Sequence, residues 1–437
     1  MMNKRRLFCM LMVVCLLLGC MGSAQAETAA SVDYAGQIEL NMVADTAKQE
    51  VTVKTFIDGD TTHFFVPESV VEGGVLKARF LAVNTPEITG KIEEYGKKAA
   101  QFTREKLTNA DSIILESDDA RWNKDSTGER YLVWVWYRPQ GETAYRNLNI
   151  EILQNGLAIA SSSANNRYGS TCMAALNQAR AGKLNVYSGQ RDPDFYYGDA
   201  IELTLRELRC SLEEYNGKKV AFKGVITMNG GNSVYIEEYD PESGLYYGMS
   251  VYYGYGLSGA GLEILKVGNE ARIVGTLQYY EAGGTWQVSG LTYRMMKPTD
   301  PGNIQKLSDG HLPAYVPTAA GTFAEGKVSL PDGDEMLTFD YAALAMATSV
   351  EMTGLYVREA YTTVDEDSSS RGAMTLICEA DGVTVTVRTA VLYDANNQLI
   401  TQDAYVGRTI DVRGIVDYFD GAYQIKVYTP EAITVHP

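Results

Sequence analysis

The 437-residue chain is longer than one compact core usually grows, so two to four domains of roughly 100–200 residues each are expected. Charged residues make up 21% of it and the hydrophobic class 45%, which excludes wholesale disorder and a polytopic membrane protein. With 38 Lys and Arg against 55 Asp and Glu, a formal net charge of −17, the chain does not hold a polyanion by bulk positive charge, and any such grip has to be local.

Residues 1–26 read as an export signal: Lys4, Arg5 and Arg6 precede an apolar run over 7–18 that is short for a bilayer span. Two processing sites compete. Ala24-Gln25-Ala26 suits a signal peptidase, whereas Leu17-Leu18-Gly19-Cys20 resembles a bacterial lipobox. In the second case a lipidated Cys20 would hold the protein at a membrane surface. The expectation is an extracellular or cell-envelope protein in which 27–45 is a polar leader. Beyond Cys20 only Cys172, Cys210 and Cys378 remain, too widely spaced for a disulfide framework. No Cys/His cluster forms around His63, His311 or His436, so zinc is not expected.

Over 46–190 the acids and bases balance at 17 each. Strands are predicted at 50–57, 61–66 and 74–83, from β-branched and aromatic residues. A helix follows at 97–107, where Ala99, Phe102 and Leu107 lie among charged residues. Strands at 112–117 and 131–137 precede helices at 148–154, stopped by Asn155-Gly156, and at 172–186. Five short strands with about three helices suit a small closed barrel. Trp134 and Trp136 alternate on one strand and mark one barrel face.

Residues 191–437 carry 34 acids against 18 bases and contain an internal repeat. Val267-Gly268, Gly275, Tyr279 and Trp286-Gln287 recur as Val406-Gly407, Gly414, Tyr418 and Tyr423-Gln424, and Val220…Gly224 matches Val350…Gly354. Two barrels are expected, at 200–296 and 327–437, joined by a Pro-bearing linker at 297–326. Their strand pattern resembles the oligonucleotide- or oligosaccharide-binding (OB) fold. The whole chain is therefore mainly β with some α. Tyr246, Tyr247, Tyr252, Tyr253 and Tyr255 are able to stack bases or sugars, but the surplus acid around them favours a spacer, or contact with protein or glycan. Asp365-Glu366-Asp367 reads as a solvated loop.

The chemistry concentrates in Phe56-Ile57-Asp58-Gly59-Asp60-Thr61 and Arg79-Phe80-Leu81-Ala82-Val83-Asn84-Thr85-Pro86-Glu87. Asp60, Asn84 and Thr85 offer oxygen ligands to a hard cation such as Ca2+. Arg79 and Glu87 supply a cationic clamp and a carboxylate base, the other parts of phosphodiester hydrolysis. Alone, Asp-Gly-Asp-Thr is also an ordinary turn.

The combination resembles the thermonuclease, or staphylococcal-nuclease-like, family. The likeness continues through Asp125-Ser126-Thr127-Gly128-Glu129-Arg130-Tyr131-Leu132-Val133, through Gln154-Asn155-Gly156-Leu157-Ala158, and through Ala175…Gln178-Ala179…Lys183-Leu184-Asn185-Val186-Tyr187-Ser188. It covers about 140 residues, from near Val51 to Ser188. The resemblance implies a Ca2+-dependent nuclease acting on DNA and RNA with little sequence preference and leaving 3′-phosphate ends. It implies Asp60 as a direct Ca2+ ligand with Asn84 and the Thr85 carbonyl, Asp58 as an outer carboxylate, Glu87 as general base, and Arg79 and Arg130 as phosphate clamps. Three departures stand out. Asn84 replaces the usual Asp, Glu129 is an extra residue before Arg130, and Ala160-Ser161-Ser162-Ser163 occupies the place of nucleotide-flanking tyrosines, for which Tyr168 is the candidate substitute. The alternative is a nuclease-like module that binds nucleic acid, a wall polymer or a partner protein without turnover.

Overall fold

The computed structural model describes residues 31–254, 257–281, 283–332, 335–364, 368 and 370–436. Residues 1–26, read above as an export signal, Tyr255 and the acidic run 365–367 lie outside the described residues. In the first domain, strands β1 (Lys48–Phe56), β2 (Thr61–Phe65), β3 (Val75–Phe80), β4 (Ala110–Glu116) and β5 (Tyr131–Pro139) form one sheet. β1 pairs with β2 and β4, β2 with β3, and β4 with β5, all antiparallel. The sheet closes on itself through a parallel pairing of β3 with β5, Arg79 opposite Leu132. Alternation sends Phe64, Leu76, Ala78, Phe80, Val133 and Val135 inside, where all are buried.

Beside the one-turn helix Tyr34–Gln37, three longer helices pack on this barrel: α1 (Gly96–Thr108), α2 (Leu148–Gln154) and α3 (Gly169–Ala181). Asn147 caps α2 by accepting the Ile150 N–H at 3.1 Å. α3 begins and ends earlier than the expected 172–186. Lys183 and Asn185 take left-handed φ of 50° and 44°, which breaks the helical run and leaves a separate 3-10 turn at Asn185–Tyr187.

The acidic half contains two more barrels with the same strand order. The second uses β6 (Lys219–Asn229), β7 (Ser233–Asp240), β8 (Leu245–Tyr252), β9 (Glu270–Tyr280) and β10 (Thr285–Ser289), and the third β11 (Ser349–Thr362), β12 (Met374–Ala380), β13 (Val383–Thr389), β14 (Thr409–Phe419) and β15 (Ala422–Val427). In each, the first strand pairs with the fourth and the third runs parallel to the fifth. This closed five-stranded order, common to all three sheets, is that of an OB barrel. The sequence repeat is a repeat of register: Val220 faces Gly275 as Val350 faces Gly414, and Tyr279 faces Trp286 as Tyr418 faces Tyr423. Gly275 and Gly414 share a cause. A Cβ at either would meet the last barrel strand at 2.6 Å.

Residues 297–326 are built into both neighbours. Gln305–Ser308 adds a strand beside β9, Val316–Pro317 pairs with β11, and Ala320–Glu325 is a helix over the third core. The hairpin Lys327–Asp332 with Glu335–Asp340 sends Val328, Leu330 and Phe339 to the second barrel's core. Buried Glu237 of β7 joins the two barrels by accepting the N–H groups of Ala314 and Ser349 at 2.8 and 2.7 Å. Arg209, also buried, donates to the carbonyls of Gly248 and Met346. No helix among the described residues is long and apolar enough to cross a membrane.

Candidate active site

The turn from β1 to β2 carries Asp58, Gly59 and Asp60. The Ile57 and Asp58 N–H groups donate to the Thr61 carbonyl at 3.1 and 3.2 Å, and Asp58 Oδ1 accepts the Asp60 N–H at 3.0 Å. This folds Asp60 inward, fully buried. Gly59 is needed for the close approach: a Cβ there would stand 2.8 to 2.9 Å from Thr85 and Ala99. Its carbonyl accepts from Thr103 Oγ1 of α1 at 2.6 Å.

Arg79 sits opposite Thr61 at the end of β3. Just beyond it Ala82 takes φ 68°, a left-handed conformation costing a non-glycine residue about 1–3 kcal/mol. That bend redirects the chain into the short strand Ala82–Asn84, which pairs with Ile159–Ser161. Buried Ser163 holds the bend by donating to the Ala82 carbonyl at 2.5 Å. The Ala160–Ser163 stretch thus braces the segment carrying Asn84.

Asp60, Arg79, Asn84 and Thr85 meet at one place. Arg79 Nη1 donates to Asp60 Oδ1 and Nη2 to Asn84 Oδ1, the latter at 2.6 Å. The Thr85 N–H donates to Asp60 Oδ2 at 2.7 Å, and Thr61 Oγ1 to Asp60 Oδ1 at 3.1 Å. A carboxylate and an amide oxygen therefore face a single cationic head. Among the described residues no three His, Cys, Asp or Glu side chains gather as a metal cluster. The donors here are one carboxylate, one amide and the Thr85 backbone, an all-oxygen and mostly neutral set that fits a hard cation held with modest affinity.

Glu87 stands half-buried beside this group. Burial raises its carboxyl above the ordinary range, and the Asp58 charge raises it further against the pull of Arg79. Burial raises Asp58 too, with Arg79 opposing. The Glu87 backbone is closed into a loop: its N–H donates to Glu93 Oε2 at 3.1 Å and its carbonyl accepts the Glu93 N–H at 2.9 Å. The next carbonyl, Ile88, accepts from Gln278 Nε2 of β9, whose Oε1 accepts from Ser289 Oγ at 2.6 Å. The second barrel thus buttresses the segment that carries the candidate base.

Arg130 reaches the same neighbourhood, close enough to pull on the charges of Asp58 and Glu87. The turn absorbs the extra Glu129 through Gly128 at φ 76° and closes with the Asp125 N–H on the Arg130 carbonyl at 2.8 Å. The guanidinium is held by Asp125, with Nε and Nη2 both 2.7 Å from Oδ2. Tyr168 lies elsewhere. Its ring packs edge-on against Trp134 and Trp136 at 4.9 and 5.6 Å, and its hydroxyl donates to buried Glu116 at 2.9 Å. The tyrosines of the second barrel do not form one platform either, because strand alternation buries Tyr247 and Tyr253 and leaves Tyr246 and Tyr252 partly open.

Sequence reasoning assigned no role to Asp125, Ser163, Glu93 or Gln278. Asp125 and Glu93 are local enough to be sought by spacing. Nothing in the sequence ties Gln278 to a loop 190 residues upstream.

Residues 77–189 match the family described as staphylococcal nuclease homologue. The chain is also similar to a thermonuclease of Staphylococcus intermedius, 31% identical over 147 residues that cover 33% of this chain and 79% of that protein.

Proposed function

The chain belongs to the staphylococcal nuclease homologue family, and from that premise we propose that its first barrel hydrolyses phosphodiester bonds of DNA and RNA in a Ca2+-dependent reaction with little sequence preference. The observation that carries this reading is the convergence of Asp60 and Asn84 on one cationic head, with Glu87 alongside. Asp60, Asn84 and the Thr85 carbonyl would hold the ion, and Asp58 would bias the field from behind. When bound, Ca2+ supplies fixed divalent charge to the phosphate oxygens.

Glu87 takes the proton of the attacking water, and its raised carboxyl makes it a stronger proton acceptor than an ordinary glutamate. The water oxygen bonds to phosphorus, the bond to the 5′ oxygen breaks, and a 3′-phosphate end remains. Arg79 and Arg130 place guanidinium forks on the charge that builds on the equatorial oxygens. Hydrolysis of single-stranded DNA by the purified full chain is expected to stop in chelator. It should fall by about 10²-fold or more in Glu87→Gln and in Arg79→Ala. Turnover that persists in chelator or survives both substitutions rejects the mechanism.

A second reading, binding without turnover, is favoured by one observation: the Arg130 guanidinium is engaged by Asp125. Calorimetric titration with a nucleotide and Ca2+, run beside the turnover assay, separates the two, since tight binding with no product supports the module. The acidic barrels would then offer contacts to protein or glycan. Export is proposed from residues 1–26, with Cys20 as the lipid site if the lipobox is used. Absence of a fatty-acid label on Cys20 in the mature protein leaves free secretion.

A further inference from the structure

A cationic and aromatic track leaves Arg79 along the outside of the first barrel. On β3 and β2, Arg79 faces Thr61, Lys77 faces His63 and Val75 faces Phe65. The intervening Thr62, Phe64, Leu76, Ala78 and Phe80 are buried, so Phe65, His63, Val75 and Lys77 point outward, while Thr61 is covered at the Arg79 end. Lys54 of β1 joins it, with its ammonium 5.7 Å from the Phe65 ring centroid. Phe65 is 51% exposed and both lysines are exposed. Neither lysine pairs with a carboxylate among the described residues. From Arg79 to Phe65, the outward positions Thr52, Lys54, His63, Val75 and Lys77 include no acid.

Two features make this face a substrate path rather than a solvated edge. It is continuous with the clamp: Arg79 and Lys77 are two residues apart on one strand, about 7 Å along it, a step that an extended polynucleotide backbone also makes. It also complements a polyanion, whereas the neighbouring cleft beside the β1–β2 turn does not. The cleft of about 310 Å³ between α1 and β9 is lined by Asp58, Glu93, Asp192, Asp194 and Glu281 against only Lys97 and Arg104.

Resting on the phosphodiesterase reading, we propose that this outer face of β1, β2 and β3 binds the unpaired strand flanking the scissile phosphate, with Lys77 and Lys54 on successive phosphates and Phe65 stacked on a base. The substrate class is then single-stranded nucleic acid, because a base within a duplex has no free face for Phe65. His63 adds no charge. Burial and the two lysines hold its imidazole down at about 4, so it meets the strand as a neutral ring.

Binding is measured in full-length protein carrying Glu87→Gln to halt turnover, with Ca2+ present, using a short fluorescein-labelled oligothymidylate and anisotropy across a salt series. Lys54→Ala with Lys77→Ala is expected to flatten the slope of log affinity against log salt by about 1.4, two contacts at about 0.7 each. Phe65→Ala is expected to weaken binding about tenfold, and Lys77→Arg should retain wild-type affinity. Circular dichroism checks that each exposed variant folds. Affinity and salt slope unchanged in the triple variant would overturn the track, as would equal affinity for a duplex of the same length. Turnover of the otherwise unaltered chain is followed separately: its absence rejects the phosphodiesterase reading, whereas robust turnover beside unchanged binding in the combined Lys54→Ala, Phe65→Ala, Lys77→Ala variant rejects the track alone.

Discussion

As the proposed phosphate clamp, Arg79 would compete with a bound cation for the oxygens it already holds. In the structure its guanidinium neutralises Asp60 and donates to the Asn84 amide oxygen, the same oxygens that a cation would use. Arg79→Ala is therefore expected to tighten Ca2+ binding in a calorimetric titration while turnover falls by about 10²–10³-fold. Unchanged or weaker Ca2+ affinity would show that guanidinium and ion do not compete. His63 gives a second prediction. Its imidazole is held down at about 4 by burial first and then by Lys77 and Lys54, so the folded state disfavours its protonation. The stability it contributes is complete above the unfolded value near 6.5 and is lost as pH falls toward 4. After discounting for partial exposure the loss is on the order of 1 kcal/mol. His63→Gln should flatten the melting temperature across that window, and Lys77→Ala should narrow it by relieving one neighbouring charge. Asp60, Arg79, Asn84 and Glu87 were all legible as sequence motifs, because the candidate ligands, base and clamp lie within 28 residues of chain. The hold of Asp125 on Arg130 and the edge-on packing of Tyr168 were not, since both depend on what a side chain meets across the barrel.

The site depends on three elements meeting the β1–β2 turn at contact distance. Gly59 has no room for a methyl group between Thr85 and Ala99, so Gly59→Ala is expected to destabilise the fold by about 1–3 kcal/mol in denaturant titration and to displace Asp60. A melting curve identical to that of the unaltered chain would mean that α1 yields more easily than this packing implies. The loop after Glu87 is tied at its base by Glu93 and at its flank by Gln278. Gln278→Ala should raise amide hydrogen exchange over residues 88–93 while leaving the strands protected. Exchange that does not change would place the rigidity of that loop in the Glu93 contacts alone. The strands themselves were readable from alternation and turn residues. The end of α3 was not, because two left-handed residues, not a proline, stop it.

At the scale of the molecule, Tyr34–Pro437 is one compact unit of three like barrels. Its joints are polar and buried. Glu237→Ala would strand the N–H groups of Ser349 and Ala314, each costing about 1–3 kcal/mol. Calorimetry should show the second and third barrels melting earlier, while a single unshifted transition would mean that the apolar contacts dominate that joint. The net charge of −17 belongs mostly to these two barrels, whereas the first barrel has a neutral total and, at β2 and β3, a local cationic face. The sequence alone determined the barrel class, the division into a neutral and an acidic half, the internal repeat and which residues are the candidate ligands, base and clamp. Each of these is written in residue type and short-range spacing. Only the tertiary structure decided that Arg79 holds both candidate cation ligands, that Ser163 braces the bend at Ala82, that the second barrel grips the loop behind Glu87, and that Lys54, Phe65 and Lys77 line up with Arg79. Those contacts join residues that strand pairing and barrel closure bring together, and spacing along the chain carries no record of them.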